Sequence, residues 1–340
     1  MQSLASKFEI LLVKPDSFAE LYTALKTLLE SYNVTFHTVS HPDYSELAQI
    51  KSKDAVQAVF LASGRSSIDV IMKEFPNIKW CHNFFTGVDK LLLDETFRKS
   101  SITLTTSRGA SAYGLTEHAI GMMIYFSRRF REWDRLQAKA EWKALYSTDI
   151  SRKKITIVGY GSIGSKLGRM CKVGFDMKVT GVKRSIDENT YKEHPEVEKF
   201  YSLKDLATAC EDADFVVNIL PKTEETIDVY NKSIFDRFKK TAVFINIGRG
   251  LNVVEEDLID ALKQGKIAAA GLDVFREEPL PKDSPFYTEE SIKEKIFISC
   301  HKADQSDLLL YSVVDLAKKN LENFLNNKPL AGIVDKEKGY

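Results

Sequence analysis

The run Lys154–Val158 (KITIV), followed directly by Gly159-Tyr160-Gly161-Ser162-Ile163-Gly164, constrains this chain more than any other feature. The β-branched residues read as a buried strand, and from Ser165 to Val173 the apolar positions take helical spacing. A strand that turns through glycines straight into a helix opens a βαβ unit, and the return to a parallel neighbour needs a crossover. The glycines permit the tight turn, let backbone N–H groups approach a ligand, and bring helix against strand. Unpaired N–H groups and the macrodipole at the helix start favour an anion. The run therefore predicts a pyrophosphate cradle for a dinucleotide at Gly159, Gly161, Ser162, Ile163 and Gly164.

The rest of the chain agrees with parallel α/β architecture, with β-branched runs alternating with amphipathic ones. Strands are expected at Glu9–Val13, Val34–His37, Ala58–Leu61, Trp80–Asn83, Thr103–Thr105, Lys154–Val158, Lys178–Gly181, Phe215–Asn218, Val243–Ile247 and Lys295–Ser299. Helical periods occupy Ala19–Leu29, Ser66–Glu74, Ser165–Val173, Glu255–Gln264 and Leu308–Leu325. A continuous helical pattern from Thr116 to Leu145, without a glycine or proline stop, predicts a connector between domains or a dimerisation arm. With 340 residues the chain suits two domains, and its last helix can return to the first unit and make it discontinuous.

Composition excludes several classes. Lys+Arg and Asp+Glu are both 48, so no global field draws the chain to nucleic acid or an anionic membrane. The longest apolar runs, such as Phe215–Leu220, fall far short of the ~20 residues of a membrane span. The N-terminal apolar core Ile10–Val13 is too short for a secretory signal, and the ending KEKGY matches no organelle address, so a cytoplasmic location is expected. Cys81, Cys171, Cys210 and Cys300 are scattered, predicting reduced thiols and no metal site.

The end of the strand after the glycine loop bears on which dinucleotide is held. Recognition of an unphosphorylated ribose uses a carboxylate about 20 residues beyond the fingerprint. Here the segment reads Thr180-Gly181-Val182-Lys183-Arg184-Ser185, with no carboxylate before Asp187. Lys183, Arg184 and Ser185 instead offer donors to a 2′-phosphate, so NADP(H) is expected over NAD, mainly through Arg184.

Three further runs end in turns: Phe244-Ile245-Asn246-Ile247-Gly248-Arg249-Gly250, Gly271-Leu272-Asp273-Val274-Phe275-Arg276-Glu277-Glu278-Pro279, and Ile298-Ser299-Cys300-His301. With the glycine loop and Leu220-Pro221-Lys222-Thr223, they resemble the D-isomer-specific 2-hydroxyacid dehydrogenases in order and spacing across residues 116–304. The resemblance implies a Rossmann cofactor domain (113–304) inserted into a discontinuous flavodoxin-like substrate domain (1–112 with 305–340), both doubly wound. It places a catalytic trio on Arg249, Glu278 and His301, and cofactor contacts on Leu220, Pro221, Ile247, Gly248 and Asp273. The side-chain types suit reduction of a 2-oxo acid. Negative charge that grows on the keto oxygen must meet a proton, and a histidine with a pKa of roughly 6.5 donates near neutrality. Glu278 would orient that imidazole and Arg249 would fork onto the substrate carboxylate and carbonyl.

Around His301 the chain departs from the family, with Ser299-Cys300 in place of a threonine-proline pair and Lys302 and Asp304 where small residues are common. In the N-terminal part, Phe85-Thr86-Gly87-Val88-Asp89 resembles the turn whose backbone holds the substrate carboxylate, which assigns Thr86, Gly87 and Val88 to substrate with Arg249 and His301. Ser127-Arg128-Arg129-Phe130 with Trp133, Gln137 and Trp142 resembles the glyoxylate/hydroxypyruvate reductase branch, implying a homodimer through the 116–145 arm. His118 reads as structural. Relatives that keep this site but act as NAD(P)H-sensing corepressors, and formate dehydrogenases, are the competing readings.

Overall fold

The computed structural model describes residues 8–14, 19–62 and 68–339. It divides into two compact units, residues 1–111 with 306–340 and residues 112–305. The first unit contains β1 (Glu9–Val13), α1 (Ala19–Ser31), β2 (Thr35–Val39), β3 (Val56–Leu61), α2 (Ile68–Glu74), β4 (Trp80–Asn83), α3 (Glu95–Lys99) and β5 (Thr103–Thr106). The second opens with α4 (Ala112–Ser127), α5 (Phe130–Ala138), β6 (Lys154–Val158), α6 (Ser162–Phe175), β7 (Lys178–Val182), α7 (Glu188–Glu193), β8 (Val197–Tyr201) and α8 (Leu206–Cys210). It continues through β9 (Phe215–Asn218), α9 (Lys232–Phe235), β10 (Val243–Asn246), α10 (Glu255–Lys263), β11 (Ala269–Leu272), α11 (Pro285–Thr288), α12 (Glu290–Lys293) and β12 (Ile296–Ile298). Then α13 (Asp307–Leu325) completes the first unit.

Both sheets are parallel. The first has the order β2-β1-β3-β4-β5, the flavodoxin-like arrangement. Strand β1 shows why its run is continuously apolar, since a parallel sheet is covered on both faces. Ile10 and Leu12 enter a core with Leu21, Leu25 and Leu29 of α1 and Val313, Ala317 and Leu321 of α13. Leu11 and Val13 enter the opposite core with Ile68, Ile71 and Phe75.

The second sheet runs β12-β11-β10-β9-β6-β7-β8. Its order reverses at β6, where the chain lays β7 and β8 to one side and β9 to β12 to the other. In doubly wound folds such a reversal opens a crevice at the carboxyl ends of the strands. Ile155 and Ile157 pack with Met123 of α4 and Leu167 of α6 on one face. Val216, Phe244 and Ala270 pack with Leu258 and Leu262 of α10 on the other.

Two expectations change. The helical pattern of Thr116–Leu145 is not one helix: α4 stops at Ser127, α5 at Ala138, and residues 141–150 carry no helix. Arg129 (φ 58°) and Ala140 (φ 51°) adopt the left-handed conformation that usually signals itself through glycine or asparagine. The chain then doubles back, with the Thr148 N–H donating to the Ser127 carbonyl (3.0 Å), while the Trp133 indole donates to the Arg128 carbonyl (3.1 Å). Strand β8 was not expected, because at the sheet edge Val197 and Phe200 are buried while Glu198 and Lys199 face solvent. The predicted helix start at Ser66 lies outside the described residues. Cys81, Cys171 and Cys210 are buried thiols and Cys300 is exposed. No helix among the described residues is long and apolar enough to cross a membrane.

Candidate active site

The glycine loop leaves β6 at the reversal point. Gly159 takes φ 100°, and a Cβ on it would come within 2.9 Å of the Ile219 backbone. A Cβ on Gly164 would come within 2.5 Å of the Gly159 carbonyl oxygen, so helix α6 approaches the turn as closely as backbone allows. The N–H groups of Gly159 and Tyr160 donate to the Val182 carbonyl (3.0 and 2.9 Å), which fixes the loop to the end of β7. Gly161 caps α6 without a side chain, so Ser162, Ile163 and Gly164 present first-turn N–H groups that no capping side chain takes. The cradle fits a pyrophosphate by shape and by dipole.

At the end of β7, Lys183 and Arg184 stand on an exposed turn. The Arg184 guanidinium pairs with Glu225 at 3.0 Å. That contact is open to solvent on both sides and holds weakly. Asp187, the first carboxylate after the strand, is occupied as the cap of α7, accepting from the Thr190 N–H at 2.8 Å.

Three neighbouring strands, β10, β11 and β12, deliver the proposed trio. Arg249 follows β10, with its guanidinium donating to the Gly248 carbonyl (2.9 Å). A Cβ on Gly250 would fall 1.9 Å from the Phe275 carbonyl carbon, so only glycine lets the Arg249 turn lie against the Glu278 turn. Glu278 accepts the Phe275 N–H on one carboxylate oxygen (3.0 Å) and faces His301 Nδ1 on the other (2.7 Å). The bond to Glu278 raises the His301 pKa above its ordinary value, against the opposing pull of burial and of the Arg249 charge. Burial pushes the Glu278 carboxyl up, but the bonds from His301 and Phe275 outweigh it and leave the group below the usual range.

His301 itself is held at φ 53°, a left-handed conformation uncommon outside glycine. Asp273, at the end of β11, is 2 % exposed and lies under this turn. Its carboxylate accepts from the Ser299 hydroxyl (2.7 Å) and the Lys302 and Ala303 N–H groups (3.0 and 3.2 Å), and its carbonyl from the His301 N–H (2.7 Å). Ser299 is also 3.0 Å from His118 Nε2, on α4. Because the serine hydroxyl donates to Asp273, the imidazole donates to the serine. Burial lowers the His118 pKa, although the Asp273 charge works the other way.

The other predicted residues take the following places. Leu220 and Pro221 lie on the turn after β9, the neighbour of the cradle strand β6, and Ile247 and Gly248 on the turn after β10, one strand further out. Thr86, Gly87 and Val88 stand in the first unit on the turn after β4, where the Asn83 amide donates to the Phe85 and Gly87 carbonyls (2.8 and 3.0 Å). Asn218 and Asn252 are not singled out by the sequence, and Ser299 stands out there only as a departure from the family. For Asn218 the available signal is a polar residue closing an apolar run, whereas Asn252 sits in an ordinary turn. Among the described residues no cluster of histidine, cysteine or carboxylate side chains could hold a metal ion.

The family model described as D-isomer specific 2-hydroxyacid dehydrogenase, NAD binding domain, matches residues 120–303. A glyoxylate/hydroxypyruvate reductase B from Enterobacter sp. (strain 638) is 30% identical over 312 residues, covering 88% of this chain and 91% of that protein. The chain belongs to the D-isomer specific 2-hydroxyacid dehydrogenase family. A probable 2-ketogluconate reductase from Dictyostelium discoideum is 40% identical over 180 residues, covering 51% of this chain and 52% of that protein. Among solved structures, a family member from Aeromonas salmonicida aligns with a TM-score of 0.80 at 26% identity, covering 97% of this chain and all (100%) of that one. A member from Xanthobacter autotrophicus Py2, crystallised with NADPH and MES, aligns at 0.83 with 21% identity, over 97% of this chain and 99% of that one, and shares the fold.

The carboxylate–imidazole pair gives a direct expectation. The His301 imidazole, followed by NMR, titrates above the roughly 6.5 of a free histidine, and Glu278→Gln lowers that midpoint. The pair's stabilisation is complete below the unfolded histidine pKa and is lost as pH rises through the raised folded value. On the carboxylate side it is present above the unfolded glutamate pKa and is lost as pH falls through the depressed one. An unchanged midpoint in Glu278→Gln would show that the bond does not set the histidine's protonation.

Proposed function

We propose that this chain is an NADPH-preferring reductase of a small 2-oxo acid of the glyoxylate or hydroxypyruvate type, forming the D-2-hydroxy acid. The observation that carries this reading is the 2.7 Å contact of His301 Nδ1 with Glu278, which lies at strand ends of the sheet that bears the glycine cradle. A dinucleotide held at Gly159, Gly161 and Gly164 would supply the hydride. With Nδ1 engaged by Glu278, His301 has Nε2 free to give its proton to the keto oxygen. The bond to Glu278 favours the protonated ring, the form that reduction needs. Arg249 anchors the carboxylate and polarises the carbonyl through its planar fork. The Enterobacter relative, a glyoxylate/hydroxypyruvate reductase by name, supports the substrate class.

Loss of reduced-nicotinamide absorbance, with NADPH and NADH against glyoxylate, hydroxypyruvate, pyruvate and a branched 2-oxo acid, tests the reading. Turnover is expected with glyoxylate or hydroxypyruvate, and His301→Ala is expected to lower kcat by about 10²–10⁴-fold. Tight NADPH binding without turnover on any of these acids would favour a sensor or corepressor-like role instead.

The cofactor preference rests on Arg184 reaching a 2′-phosphate in place of Glu225. Arg184→Ala is expected to lower the NADPH/NADH ratio of kcat/KM by about tenfold, the scale of one charge-assisted bond. An unchanged ratio would remove Arg184 from cofactor selection.

The arm after α4 is assigned to a second copy of the chain. Phe130 (45 %), Trp133 (40 %), Trp142 (105 %) and Tyr146 (88 %) are all exposed within seventeen residues of chain, 130–146. Scattered surface aromatics are ordinary, but several along one segment mark an interface. Light scattering is expected to give twice the chain mass, with Trp142→Ser weakening the dimer, and a monomeric wild type would sink the assignment.

A further inference from the structure

We propose that Asn218, Asn246 and Asn252 form a positioning device for Arg249, an inference that rests on reading Arg249 as the substrate anchor. All three side chains are at most 1 % exposed. Asn218 ends β9, Asn246 ends β10, and Asn252 closes the turn that follows Arg249. The Asn218 amide donates to Asn246 Oδ1 (2.9 Å) and to Asn252 Oδ1 (3.0 Å). The Asn252 amide donates to the Pro221 and Thr226 carbonyls (3.2 and 3.0 Å).

Arg249 is gripped at both ends of its own backbone. Its N–H donates to Asn252 Oδ1 (3.2 Å) and its carbonyl accepts from the Asn246 amide (3.2 Å). Asn246 Oδ1 also accepts the Gly248 N–H (3.1 Å), and Asn218 Oδ1 accepts the Leu220 N–H (3.3 Å). The backbone partners settle which way each amide points. The N–H groups of Leu220, Gly248 and Arg249 can face only oxygens, and the carbonyls of Pro221, Thr226 and Arg249 can face only amide nitrogens.

Part of the network serves stability, because it satisfies the Leu220, Gly248 and Arg249 N–H groups and the Pro221, Thr226 and Arg249 carbonyls. The amide-to-amide bonds from Asn218 do more than that, since they tie the asparagines of neighbouring elements to one another. The strands beneath are built in the apolar way, through Phe215–Val217 and Val243–Ile245. Amides appear where the strands end, and there they bind two turns together. One turn carries Leu220 and Pro221 and the other carries Gly248 and Arg249. A fully satisfied buried network has one geometry, which is what a side chain aimed at a substrate carboxylate needs.

The test is a double-mutant cycle between Asn252→Leu and Arg249→Lys, read as KM for the 2-oxo acid at saturating reduced cofactor. Melting temperature and NADPH affinity by fluorescence are followed in parallel. Asn252→Leu is expected to raise KM about tenfold while the NADPH Kd changes less than about threefold, and to add little in the Arg249→Lys background. Additive effects, or an unchanged KM in Asn252→Leu, would overturn the inference. Where Asn252→Leu does not fold, Asn218→Ser removes both bridging amide bonds and is read the same way. If Arg249→Lys by itself leaves KM unchanged, the anchor reading has failed rather than the network.

Discussion

A buried carboxylate decides the shape of the site's most unusual turn. Asp273 takes donors from Ser299, Lys302 and Ala303 on its side chain and from His301 on its carbonyl, so four bonds converge on one residue at the end of β11. That convergence holds His301 in a left-handed backbone conformation that its own preferences would not select. With the backbone so held, the imidazole meets Glu278, and the carboxylate can set its protonation. The departures of this chain from its family fall around the same turn. Ser299 keeps a hydroxyl to give to Asp273, and His118 supports that hydroxyl from behind. The turn is therefore secured from below, with Cys300 and Lys302 exposed at the surface.

Electrostatics and backbone packing serve the same end by different means. Gly250 brings two turns to within van der Waals limits, which sets where Arg249 stands relative to Glu278. The Arg249 charge lowers the His301 pKa while the Glu278 bond raises it, and the bond wins. The carboxylate thus offsets the effect of a guanidinium near the imidazole. The pair of Arg184 with Glu225 shows the contrast, since both partners are solvated and their attraction is screened.

Much of this was legible in the sequence because it rested on local pattern. The strand, glycines and helix of residues 154–173 lie in one window, and the covered parallel strands announce themselves as unbroken apolar runs. The break in the helical run after Ser127 was not legible. Arginine and alanine give no sign that they will take positive φ, and the contacts around Arg129 come from Tyr146 to Asp149, far along the chain. Strand β8 was missed because an edge strand needs only alternate burial, and its charged residues mask it. Arg249, Glu278 and His301 stood out through resemblance, whereas their supports did not. Asn252 lies in a run that reads as ordinary turn, and its importance appears only when its four bonds are seen together.

The distribution of polar groups along the central strands explains how a stable sheet and an exacting site share one chain. Below the strand ends the side chains are apolar, and exchange among them costs mainly packing. At the ends stand polar side chains, with Asn218, Asn246 and Asp273 buried and Ser299 half-buried. Each fixes a turn by hydrogen bonds whose direction matters. Because a hydrogen bond to a backbone group specifies position as well as attraction, this layer converts the regular spacing of parallel strands into the irregular placement of Arg249, Glu278 and His301. The same property makes the layer intolerant of partial change. Removing one partner leaves another buried and unsatisfied, so its residues must be kept or replaced together.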